Sequence, residues 1–114
     1  MKLTARQLSL LETATQLVGV PGAENEVRSF LKNEFQVRGF DLVSDNLGSL
    51  YAHKKSKVDN APKVMVSGHM DEIGFMLLYI LDNGLIKTSA LGGHSKETLA
   101  AHRVVLKTQK GGKY

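Results

Sequence analysis

The stretch VMVSGHMDEIGFM, residues 64–76, sets an apolar run directly before a histidine, two carboxylates and a glycine. The near-continuous Val and Met of KVMVS (63–67) predict a strand buried on both faces, which needs a sheet with covering layers on either side. His69, Asp71 and Glu72 would then stand at the mouth of that strand, where ligands bind in open α/β sheets. Gly68 removes a side chain beside His69, which would allow close approach of backbone or metal there. A neutral imidazole binds zinc, cobalt or manganese, and its second ring nitrogen needs an acceptor to fix the tautomer. Asp71 can supply that acceptor. On local spacing alone two readings stand: a ligand with its orienting carboxylate, or a simple hydrogen-bonded pair at a strand end.

Upstream, Thr4 and Gln7 form a capping-box pattern, with Leu3 and Leu8 spaced as a hydrophobic staple. Leu8, Leu11, Ala14 and Val18 recur at helical spacing, and GVPG (19–22) is the predicted stop. A second helix is expected from about Ala23 to Val37. Glu24 and Glu26 lie at its positive end, Val27, Phe30, Leu31 and Phe35 make its apolar face, and Gly39 ends it. The period then becomes alternating: FDLVS (40–44) and SLYAH (49–53) read as strands joined by a turn at DNLG (45–48). Helices followed by strands in this order predict an α/β sheet covered by helices.

Downstream of Gly74 the pattern changes again. Two apolar runs flank Asp82-Asn83-Gly84, a strong hairpin signal. A glycine pair, a short helical segment and a strand at RVVLKT (103–108) follow. A boundary is expected near residues 72–77, dividing the chain into an α/β part (1–74) and the start of an all-β module (75–114).

Composition narrows the function. The chain has 114 residues, 42% hydrophobic and 23% charged, as in ordinary globular proteins. Its net charge of +4 comes from scattered lysines with no interleaved aromatics, which argues against nucleic acid. The absence of cysteine removes thiolate metal sites and disulfides and fits a cytoplasmic location. The first twenty residues are broken by Arg6, Gln7, Glu12 and Gln16, unlike a secretory leader, and IGFMLLYIL (73–81) is too short to span a bilayer, so no membrane role is expected.

PGAENEVRSFL, DNLGSLYA, SGHMDEIGFM and LGGHSKETLAAHRVVLKT occur in the order and contexts of one metallopeptidase family. Across nearly its whole length the chain resembles the glutamyl, deblocking and tetrahedral aminopeptidases, a family of dinuclear metallopeptidases. The resemblance implies a zinc-peptidase-like α/β sandwich interrupted by an inserted β-barrel that mediates assembly into homo-oligomers. It also implies two divalent metal ions, zinc or cobalt, acting on peptide substrates. By that match His69 is a metal ligand and Asp71 the catalytic carboxylate that orients it.

In the family, the remaining ligands and the general-base glutamate follow the inserted barrel, and residues 1–114 do not include them. Glu72 does not match the base. The expectation is therefore an N-terminal portion of an aminopeptidase, inactive as the 114-residue polypeptide. The alternative is a non-catalytic remnant that only associates through its partial barrel. Some family members carry endoglucanase labels, but no pair of opposed carboxyl groups stands out here. His53, His94 and His102 are expected to be non-ligands, and Asp45 and Asn46 to be turn formers.

Overall fold

The computed structural model describes residues 2–114, apart from the Lys96 side chain. Helix α1 spans Ala5–Thr15 and α2 spans Asn25–Gln36. Strands β1 (Asp41–Ser44) and β2 (Leu50–His53) form one antiparallel pair, and β3 (Gly74–Ile80) and β4 (Ile86–Leu91) form another. A single 3-10 turn at Lys96–Thr98 follows.

Thr4 starts α1 as its sequence predicts. The Thr4 hydroxyl accepts from the Gln7 amide at 3.2 Å, and the Gln7 side chain accepts from the Thr4 amide at 2.8 Å. Two otherwise orphan helix donors are satisfied in this way. The helix ends earlier than expected, with Gln16 as its C-cap, so Val18 belongs to the connector and not to the helical face. Nor is that face buried: Leu8 and Leu11 are exposed.

The connector turns sharply at Val20-Pro21-Gly22-Ala23, where the Ala23 amide donates to Val20 O at 2.9 Å and Gly22 takes φ +83°. Pro followed by a left-handed Gly is the type II turn chemistry. Helix α2 then covers the β1–β2 hairpin. Its C-terminus closes through Gly39 at φ +72°, with the Phe40 amide donating to Phe35 O and the two rings meeting edge to face at 5.4 Å.

Gly19 and Val27 are the two buried residues among those described, and they touch. A Cβ on Gly19 would lie 2.7 Å from Val27 Cγ2, so the connector can cross α2 at this depth only without a side chain. Gly74 makes the same kind of approach to Val20, where a Cβ would meet Cγ1 at 2.2 Å. These two glycines pin the connector between α2 and the start of β3.

The β3–β4 hairpin forms where Asp82-Asn83-Gly84 predicts it. Gly84 takes φ +84°, its amide donates to Leu81 O at 2.8 Å, and Asn83 Oδ1 accepts from the Leu85 amide. One extra residue, Leu78, bulges the ladder between the Leu77 and Tyr79 pairings.

Two expected strands are corrected. Residues 63–67 form no strand: residues 54–71 make no backbone–backbone hydrogen bond, and Val64, Met65 and Val66 are 85%, 82% and 93% exposed. A doubly buried strand is made by neighbours on both edges and both faces, and none of the described elements lies there. RVVLKT is reduced to one bridge, Lys107 with Lys113, flanked by reciprocal bonds between Leu106 and Tyr114. The radius of gyration, 18.3 Å, exceeds the about 13 Å of a compact domain of this length, in keeping with these open apolar surfaces.

Candidate functional site

His69, Asp71 and Glu72 lie in the irregular segment between β2 and β3, not at the end of a central strand as the sequence predicts. The segment is tied down at its far end. The Glu72 amide donates to Gly19 O at 2.7 Å, and the Gly19 amide donates to Glu72 Oε1 at 3.2 Å. Both backbone groups of the buried Gly19 are thus taken by one residue. Met70 O also sits against the same glycine, 3.3 Å from where a Cβ would be. Sequence reasoning missed this role of Glu72. The signal available was a lone glycine, Gly19, just past a helix, which does not name its distant partner.

The expected His69–Asp71 contact is present. His69 Nδ1 lies 3.1 Å from Asp71 Oδ1 and 2.9 Å from Asp71 O. Both neighbours are oxygens without a proton to give, so Nδ1 is the donor, and in the neutral ring the lone pair lies on Nε2. The imidazole is 84% exposed and Asp71 is half-buried, which leaves Nε2 open to a ligand. Nothing lies within 4 Å of the Cβ position of Gly68, and the close approaches of backbone to side chain occur at Gly19 and Gly74.

The donor set does not close a metal site. Among the described residues no three His, Cys, Asp or Glu side chains are grouped to hold a metal ion. Structural zinc takes four protein ligands and catalytic zinc three, so one imidazole and its orienting carboxylate do not suffice.

Other ionisable groups either lie exposed or serve the fold. His53 and His102 are exposed. His94 Nε2 donates to Gly74 O at 2.9 Å and Leu91 O at 3.0 Å, closing the open end of the β3–β4 hairpin, while its ring stacks on Phe75 at 4.6 Å. Asp45 holds the β1–β2 turn, accepting from the Ser49 and Leu47 amides and the Tyr51 hydroxyl. Those bonds, led by Ser49, hold its carboxyl below the ordinary value. Glu26, expected only as a helix-start acid, also anchors the tail: Lys107 and Lys113 each reach its carboxylate at 2.9 Å. Lys113 first and then Lys107 lower its pKa from 4.5 to about 2.

Residues 48–114 match the model of the M42 glutamyl aminopeptidase family. The chain belongs to this family. It is 36% identical over 103 residues to the glutamyl aminopeptidase of Lactococcus lactis subsp. cremoris, covering 90% of the chain and 29% of that relative. It is 34% identical over 106 residues to the lysyl aminopeptidase of Pyrococcus furiosus, covering 92% and 30%. The TET aminopeptidase from the marine sediment archaeon Thaumarchaeota archaeon SCGC AB-539-E09 superposes with a TM-score of 0.86 at 30% identity, over 95% of the chain and 30% of that structure. The α/β architecture of this M42 chain is therefore that of the TET aminopeptidases over the matched part. The chain spans about three tenths of the length of these relatives.

Proposed function

We propose that these 114 residues are the N-terminal part of a metal-dependent aminopeptidase that removes N-terminal residues from peptides. In this reading His69 is one ligand of a two-metal centre, zinc or cobalt, and Asp71 is the carboxylate that fixes its tautomer. The observation that supports it best is the His69 Nδ1 to Asp71 Oδ1 contact at 3.1 Å, which leaves Nε2 free on an exposed ring. An imidazole that ligates a metal donates its other nitrogen to a carboxylate or carbonyl in this manner. Because the site is not closed within these residues, no catalytic step is assigned to them, and the polypeptide alone is inert toward peptides.

Residues 1–74 belong in this reading to the catalytic α/β sandwich, and 75–114 to the start of the inserted β-barrel through which copies assemble. The separate β3–β4 hairpin, with a ladder of its own, supports that division. The cysteine-free sequence is in keeping with a cytoplasmic location.

The test is a chimera that continues these 114 residues with the rest of the Lactococcus relative, assayed on aminoacyl-nitroanilides. His69→Ala is expected to lower turnover by about a hundredfold or more, and Asp71→Asn by about 10- to 100-fold. Undiminished turnover in His69→Ala would remove the assignment.

A further inference from the structure

We propose that Glu72 is a positioning residue for His69, acting through the plane of the Asp71–Glu72 peptide. That one peptide unit holds both ends of the arrangement. Its carbonyl, Asp71 O, accepts from His69 Nδ1 at 2.9 Å, and its N–H, on Glu72, donates to Gly19 O at 2.7 Å. A peptide is planar, so fixing the direction of the N–H fixes the direction of the carbonyl on the opposite side. The Glu72 carboxylate completes the clamp by accepting from the Gly19 amide at 3.2 Å.

The anchor is one of the two buried residues among those described. Gly19 is buried against Val27, while His69 is exposed in a segment with no ladder to hold it. Asp71 could adopt several rotamers at such a position. A carbonyl tied through a rigid plane to a buried glycine gives the ring a second acceptor that does not depend on that rotamer. Glu72 thus transmits the rigidity of the Gly19–Val27 contact to His69, and the Nδ1–H tautomer results. The link to catalysis rests on His69 being a metal ligand, but the positioning itself does not.

The experiment reads the ring and not the reaction. In the 15N-labelled 114-residue chain, long-range 1H–15N spectra at a pH where His69 is neutral give its ratio of Nδ1–H to Nε2–H. Glu72→Asp keeps the charge but is too short to reach the Gly19 amide. It is expected to lower the ratio by roughly three- to tenfold, the effect of one net hydrogen bond. Glu72→Gln keeps an acceptor oxygen at full length and is expected to retain the wild-type ratio. Glu72 is exposed and lies outside both helices, so the helical far-UV signal should be unchanged in both variants. If Glu72→Asp unfolds nonetheless, Glu72→Ala takes its place, with the same lowered ratio expected and a wild-type ratio overturning the proposal. A wild-type ratio in a folded Glu72→Asp chain, or a collapsed ratio in Glu72→Gln, overturns the proposal. Loss of turnover in the His69→Ala chimera with no tautomer change at Glu72→Asp would leave the aminopeptidase reading standing and remove only this inference.

Discussion

Residues 41–53 and residues 63–67 both carry strand-like sequence, and the two segments end differently. In 41–53 the partners lie six to twelve residues away, and the turn between is built by Asp45, which accepts three hydrogen bonds within six residues. Helix α2 covers the resulting pair. In 63–67 the composition is more apolar, yet the segment has no ladder, and Val66 is 93% exposed. Local turn chemistry makes a hairpin self-sufficient, whereas a central strand is defined by neighbours that local sequence does not supply. The His69–Asp71 pair sits on the second kind of segment and owes its order to the Gly19 clamp instead.

Substitutions can break this contrast in order of size. Val27→Ala removes two methyl groups from the buried contact beneath the connector and should cost about 1.5–3 kcal/mol by denaturant unfolding. The loss should fall on α2 and the β1–β2 hairpin. An unchanged midpoint would show that the Gly19–Val27 contact is not where the fold is held.

Acid should release the tail next. Glu26 has a folded pKa of about 2 against an ordinary 4.5. A depressed carboxylate stabilises fully above its unfolded pKa, and that contribution is lost as pH falls from about 4.5 to about 2. Protection of the Leu106 and Tyr114 amides should therefore decline across that window. Protection that is flat down to pH 2 would detach the tail from Glu26.

The smallest effect is the most telling about the strand. Val66→Lys should change the stability of the 114-residue chain by no more than about 0.5 kcal/mol, as for other exposed positions. In the chimera with the full family length the same substitution should be strongly destabilising if strands close around 63–67. A large cost in the 114-residue chain would show that the segment is packed already, and a small cost in both would show that no strands close around it.

These differences mark what the sequence can show. The capping box at Thr4, the Gly39 stop, the Asp45 turn and the Asp82-Asn83-Gly84 hairpin were legible because each is decided within a few residues. The His69–Asp71 pair was legible for the same reason, being two residues apart. The exposure of the α1 face and the loss of strands at 63–67 and RVVLKT were not, because apolar pattern states a preference for cover and does not provide it. The Gly19–Glu72 clamp spans fifty-three positions and left no periodic trace.

With His69 as the proposed ligand and Asp71 as its orienting carboxylate, the described residues bring no third His, Cys, Asp or Glu to close a metal site. Calorimetric titration of the 114-residue chain with zinc or cobalt, paired with an aminoacyl-nitroanilide assay, tests it most directly. No tight two-metal stoichiometry and no turnover above the free ion are expected. Stoichiometric binding of two metals, with turnover that a chelator abolishes, would contradict it.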